Sequence, residues 1–206
     1  WGRVQDETGK PCAPSWSALY TGKASAPGFV AAELAALPLH WCEAPPHGFP
    51  YDALAPSVEA LRAQYPNHAG PVVVVVDFLQ LVSSPDGARE DLRERIGRAA
   101  YACRAIAREL NAVVIALSST ARRPPERHNP LTVDRDDDGA YRRANLHDLV
   151  GLGKESGDVE YSADSVMVLC RETWPEGEAP PKGGRRVHLA IAKLRAGEGS
   201  WCVLAF

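Results

Sequence analysis

The chain has 206 residues, 45% hydrophobic and 24% charged, enough apolar material for the core of one domain with room for an appendage. A formal net charge of −3 gives no global attraction to nucleic acid or an anionic membrane, so any DNA contact has to come from a local patch. Five cysteines, Cys12, Cys42, Cys103, Cys170 and Cys202, are odd in number, far apart and without a C-x-x-C pair. That excludes a disulfide framework or zinc knuckle as the organising device and points to a reducing cytoplasm. No apolar run approaches a membrane span and no signal peptide is evident, so the expectation is a soluble protein with no membrane partner. The chain starts at Trp1, which reads as a fragment or a processed product.

Residues 1–50 are rich in Pro, Ala and Gly and carry one helical pattern, from Ser25 to Leu37, with Ser25 able to cap and Pro27 in the first turn. Leu37 to Trp41 is a short strand candidate. His40, Cys42 and His47 have no fourth ligand at a fitting spacing, which favours packing residues over a metal site. Val58, Leu61 and Tyr65 recur at helical spacing after Pro56, giving a helix over 56–65. The run Val72 to Val76 then reads as a buried strand, since consecutive valines on a strand face both ways and both faces must be covered.

Asp77 falls at the carboxyl end of that strand, where open α/β sheets place their ligands. Two readings stand there: a carboxylate that holds Mg²⁺ on a nucleotide, or a core strand with a solvated Asp at its mouth. A loop over 83–87 leads to the longest helix, Ala88 to Leu110, with Leu92, Ile96, Ala99, Cys103, Ile106 and Leu110 on one stripe and Asn111 at its end. Ala112 to Ser118 is a second buried strand, so 72–118 forms a β-loop-α-β crossover. Residues 122–160 hold few large apolar residues and many Arg, Asp and Pro, and read as a long functional loop.

Two motifs inside that loop are incomplete. Asp134, Asp136, Asp138 and Gly139 copy the start of a calcium loop, but the twelfth position is Asn145 and not Glu. Gly151 to Ser156 resembles a phosphate loop, but the lysine precedes Glu155 and the position five before Gly153 is Asp148. No complete G-x-x-x-x-G-K-[ST] occurs in the 206 residues. The last part is β-rich, with strands over 165–170, 186–193 and 201–206 joined by short connections that imply antiparallel pairing. In the second of these, Val187, Leu189 and Ile191 alternate with His188, Ala190 and Ala192.

Four blocks, in order, resemble replicative DNA helicases of the DnaB type. Val76-Asp77-Phe78-Leu79-Gln80-Leu81 is similar to the family's Walker B motif, usually D-Y-L-Q-L. Ala107 to Ser118 is similar to its AKELNVPVIALSQ stretch. Lys154 to Glu160 with Ala163-Asp164 resembles RESGAIEQDAD, and Lys193-x-Arg195-x-Gly197 with Val203 to Phe206 resembles KQRNGPTGTVRLAF. The resemblance covers residues 72–206 and extends loosely to Trp16-x-x-Leu19 and Leu37-Pro38-Leu39.

It implies an α/β fold, a RecA-like three-layer sandwich with a largely parallel central sheet and antiparallel strands at the C-terminal end. It also implies part of an ATP-dependent motor that uses ATP and Mg²⁺, binds single-stranded DNA and works as a ring-shaped homo-oligomer, a hexamer in the full-length protein. By resemblance Asp77 holds the metal, and Gln80 and Ser119 sense the nucleotide. Lys193 and Arg195 reach a neighbouring subunit's nucleotide, with Arg195 as the finger. Lys154, Glu155, Gly157 and Arg122 contact DNA.

Several positions depart from the pattern. Ser118-Ser119-Thr120 replaces the family's Gln sensor, Lys154 replaces an Arg and loses its bidentate fork, and the final loop Gly197-Glu198-Gly199 is one residue short. The family's phosphate loop would lie before Trp1, so the 206 residues alone are not expected to hydrolyse ATP. Two other readings remain: a RecA-like DNA-binding or assembly module without motor activity, and a recombination or repair ATPase of the wider RecA group.

Overall fold

A computed structural model describes residues 38–85, 89–120, 129–135, 140–150, 152, 157–173 and 186–205, with two short backbone stretches at 4–5 and 11–12. The chain divides into two compact units, Trp1–Glu43 and Ala44–Phe206. In the first, β1 (Val4–Gln5) pairs antiparallel with β2 (Pro11–Cys12). The helix expected from Ser25 lies outside the described residues, and residues 38–41 form no strand, Leu39 and Trp41 being exposed.

In the second unit, β3 (Phe49–Pro50) pairs parallel with β5 (Val82–Ser83), and a turn of 3₁₀ helix leads into α1 (Leu54–Gln64). Next come β4 (Val72–Val76), α2 (Leu92–Glu109) and β6 (Ala112–Ala116), with β4 and β6 parallel and in register from Val72↔Ala112 to Val76↔Ala116. This is the crossover the sequence predicts. The helix starts later than its periodicity implies because the Asp91 side chain accepts from the Glu94 amide at 2.8 Å and caps it there. At the other end Asn111 takes a positive φ of 43°, a conformation Asn tolerates at a helix terminus. Its carbonyl accepts from Arg62 Nη2 at 2.7 Å and from the Val72 amide at 3.3 Å, which ties α1, α2 and β4 together.

The valine strand differs from expectation. Val74, Val76 and Val114 pack with Ala99 and Cys103 of α2, but Val73 and Val75 are 60% and 61% exposed, and Val113, Ile115 and Leu117 are about half exposed. The two-sided pattern of the run is real, and one of its faces is open.

The described members of residues 122–160 form more regular structure than a loop. Among their described members β7 (Thr132–Arg135), β8 (Tyr141–Arg142), α3 (Leu146–Val150) and α4 (Gly157–Ser162) form, and Val133, Leu149 and Leu152 enter a second core. Three apolar side chains at the right positions suffice where composition predicts none. β9 (Ser165–Glu172), β10 (Arg186–Leu194) and β11 (Ser200–Ala205) follow, in a five-stranded sheet of order β11-β10-β9-β7-β8. β9, β10 and β11 are antiparallel as expected, while β7 joins β9 in parallel. On β10 the fully buried positions are His188 and Ala190, the side carrying the polar and small residues. Among the described residues no helix is long and apolar enough to cross a membrane.

Candidate functional site

β4 and β6 end side by side, and the chain turns over their carboxyl ends. The Leu117 amide donates to the Val76 carbonyl and the Leu79 amide to the Leu117 carbonyl, each at 2.9 Å. These bonds stitch the turn after β4 to the end of β6. Between them opens a shallow cleft lined by Asp77, Phe78, Leu117, Ser118 and Ser119. Asp77 is exposed at its edge, and the peptide to Phe78 is cis. Leu79, only 1% exposed, anchors the 3₁₀ turn of residues 79–81.

Gln80 completes the rim: its amide nitrogen donates to Ser118 Oγ at 3.0 Å and its amide oxygen accepts from the Ser119 backbone N–H at 3.2 Å. Asp77 and Ser119 thus line one cleft, and Gln80 is hydrogen-bonded to the two serines beside it. Glutamine holds both hydroxyl-bearing residues by its two ends, leaving the acid free of it. Among the described residues no cluster of three or more potential metal ligands occurs. A single carboxylate at an open cleft suits Mg²⁺, which keeps several waters and takes one or two protein carboxylates plus phosphate oxygens.

Lys193 and Arg195 lie elsewhere, at the end of β10. A bulge at Ala192 shifts the β10–β9 register between Ile191↔Met167 and Lys193↔Val166, and bulges re-aim side chains in this way. The half-buried Lys193 ammonium turns inward and donates to the carbonyls of Glu160 and Ala163, the latter at 3.0 Å. The Arg195 guanidinium pairs with the Asp164 carboxylate at 3.0 Å, both side chains being largely exposed, and the Arg195 amide donates to the Asp164 carbonyl at 2.8 Å. No hydrogen bond or ion pair joins this group to the Asp77 cleft among the described residues.

Of the expected DNA contacts, Gly157 is the exposed first residue of α4, while Arg122, Lys154 and Glu155 lie outside the described residues. Asp134 of the calcium-like motif is in strand β7, where its carboxylate accepts from the Thr173 hydroxyl; Asp136 and Asp138 lie outside the described residues. His40, Cys42 and His47 belong to no potential metal cluster among the described residues.

Sequence reasoning assigns no role to a buried polar group beside the C-terminal sheet. Glu172 Oε1 accepts from Arg135 Nε at 3.1 Å, and its Oε2 stands 3.6 Å from His188 Nε2. Tyr141 meets the His188 ring edge-on at 4.5 Å between centroids. Burial holds the His188 imidazole below its ordinary pKa, against the opposing pull of Glu172 and with the help of Arg143 and Arg135. Alternation along β10 puts His188 on the side away from the bulky Val187, Leu189 and Ile191, so the sequence pattern carries no signal for its burial.

The fold is thus an α/β fold of the RecA-like type, with a parallel strand pair ending at a polar cleft and an antiparallel C-terminal set. The chain belongs to the DnaB-like helicase C-terminal domain family, whose model matches residues 51–206. It is 28% identical over 134 residues to the replicative DNA helicase DnaB of Geobacillus stearothermophilus, covering 65% of this chain and 26% of that protein. It is 33% identical over 135 residues to the replicative DNA helicase DnaB of Leifsonia xyli, covering 65% and 25%.

Among solved structures it is similar to a DnaB-like replicative helicase described with its interactions with primase, with a TM-score of 0.57, 29% identity and coverage of 77% of this chain and 34% of that one. A second solved structure, described as an ATPase domain, gives a TM-score of 0.56 at 30% identity, covering 77% and 49%. The matched region amounts to about a quarter of the length of the two curated relatives.

Proposed function

We propose that this chain is a portion of an ATP-dependent replicative helicase motor, cytoplasmic and assembled as a ring-shaped homo-oligomer on single-stranded DNA. The observation that carries the reading is the cleft over β4 and β6, where Asp77, Gln80 and Ser119 meet at parallel strand ends in a chain of the DnaB-like family. Asp77 would hold Mg²⁺ on the nucleotide, and MgATP, when bound, supplies the phosphoryl group whose transfer drives the motor. Gln80 keeps Ser118 and Ser119 at the rim, where the Ser119 hydroxyl reports the state of the terminal phosphate. Lys193 and Arg195, at the end of β10, reach a neighbouring subunit's nucleotide, with Arg195 as the finger. Gly157, with Lys154, Glu155 and Arg122, contacts the DNA backbone without reading its sequence.

A second reading, a RecA-like DNA-binding or assembly module without motor activity, is favoured by Ser118-Ser119-Thr120 standing where the family carries its Gln sensor. One experiment separates the two, on the polypeptide that carries this sequence in the cell. ATP turnover is measured with and without single-stranded DNA for the wild type, Asp77→Asn and Arg195→Ala. The motor reading expects DNA-stimulated turnover that each substitution lowers by about 10²-fold or more, with Arg195→Ala still binding nucleotide. Turnover unaffected by Asp77→Asn removes the cleft from the chemistry. DNA binding with no turnover in the wild type favours the second reading.

A further inference from the structure

Helix α4 is short but closely seated on α2. Gly97 makes room for Asp158, since a Cβ there would stand 2.8 Å from Asp158 Oδ2. Val159 packs against the core cluster of Val76, Leu79 and Ala99, and Ser162 is buried with its hydroxyl donating to the Asp158 and Val159 carbonyls. Lys193 holds the far end through the Glu160 and Ala163 carbonyls. One stripe is left outside: of the six residues of α4 only Gly157 and Tyr161 are exposed, and a spacing of four puts them on one face. Tyr161 is 78% exposed, on a helix with little freedom to move it.

Around that ring the surface is aromatic and basic together. Tyr101 of α2, half exposed, reaches Asp158 one turn before Tyr161, and Arg104, three residues on from Tyr101, donates to the Tyr161 carbonyl at 3.4 Å. Of the carboxylates on α4, Asp158 faces Gly97 and Tyr101, and Glu160 is half-buried. The motif RESGAIEQDAD has Gln where this chain has Tyr161, so the ring belongs to this chain and not to the motif. Rings with cations between them suit single-stranded nucleic acid, because every base has a face that stacks and every nucleotide a phosphate to neutralise.

We infer that Tyr161, flanked by Tyr101 and Arg104, is a base-stacking contact for single-stranded DNA. The inference rests on the proposed reading of the chain around Gly157 as DNA-contacting, and adds to those backbone contacts one of a different kind. Gly157 to Tyr161 spans about 6 Å of helix, and successive phosphates of one strand in a duplex advance about 3.4 Å. A base one or two nucleotides along the strand therefore reaches the ring. Its stacking holds the strand against slipping without reading which base it is.

The test uses the polypeptide that carries this sequence in the cell and needs no ATP turnover. Affinities for a labelled oligothymidylate and for an abasic strand of the same length are measured by anisotropy at one salt concentration. Tyr161→Ala is expected to weaken binding of the oligothymidylate about fivefold or more and to leave the abasic strand within about twofold, while Tyr161→Phe keeps the wild-type affinity for both. In Tyr161→Trp the added indole is expected to be quenched by the oligothymidylate and not by the abasic strand, a readout that stands even where the alanine variant folds poorly. An unquenched indole, an equal loss on both strands or no loss on either overturns the stacking while the DNA-contact reading survives. Weaker self-association of Tyr161→Ala at unchanged DNA affinity gives the ring to a contact between copies and overturns it too. If the wild type binds neither strand, the DNA-contact reading fails and the stacking fails with it.

Discussion

His188 is fully buried, and neither ring nitrogen has a hydrogen-bond partner. The charged and titratable groups that face it are Glu172 on β9, Arg135 on β7, and Tyr141 and Arg143 at β8. Arg135 already answers Glu172, so a second cation there would gain little and lose its hydration. The imidazole therefore stays neutral, its pKa lowered from 6.5 mainly by burial. The unfolded chain then binds the proton more readily than the folded one, and stability rises with pH across the window between the lowered folded value and 6.5. The contribution is complete above 6.5 and lost as pH falls through the folded value. Urea midpoints for wild type and His188→Gln across this range check the sign: the wild type should fall more steeply with acid, and parallel curves would mean that His188 does not titrate with folding.

At the level of elements, Asp91-Leu92-Arg93-Glu94 is a capping sequence whose geometry forms, with the Asp91 carboxylate on the Glu94 amide at 2.8 Å. Asp91→Ala should cost about 1 kcal/mol, read as a lower urea midpoint with an unchanged slope, while Arg93→Ala on the same turn should cost less. A larger loss for Arg93→Ala would place the start of the helix elsewhere. Stopping the helix there frees Glu90 to accept from Tyr51 and Ser84 and to pair with Arg98, all at 2.7–2.8 Å, contacts that an earlier helix start would forbid.

The elements that periodicity announces, namely β4, α2, β6 and the three C-terminal strands, are legible in the sequence because local apolar patterning marks each of them, even on β4 and β10, where the buried face differs from the expected one. The place of Asp77 is legible for the same reason, since strand ends are set by local pattern, whereas Gln80 and Ser119 stand out only through the family resemblance. What escapes is set by long-range partners. Val133 becomes a core residue only because β7 finds β9, and Lys193 turns inward only because the bulge at Ala192 meets the end of α4. A run of Arg, Asp and Pro says nothing about either pairing.

Across the whole of the second unit, the β4–β6 pair presents Val73, Val75, Val113, Ile115 and Leu117 on a face that α2 does not cover. Two strands that face both ways by composition but are buried on one side leave a contiguous apolar surface, the kind that drives association or takes up a partner. Val75 and Ile115 are direct cross-strand partners at its centre. Replacing both with threonine keeps the β-branched shape that a strand favours while adding a hydroxyl to each. The double variant should bind less of a hydrophobic dye and associate less with rising concentration in sedimentation. Because both side chains already meet solvent, its unfolding free energy should move by no more than about 0.5 kcal/mol per site. A loss of about 2 kcal/mol or more, the scale of a core deletion, would mean that the face is covered in solution, and its concentration dependence would then tell cover by a second copy from cover within the chain.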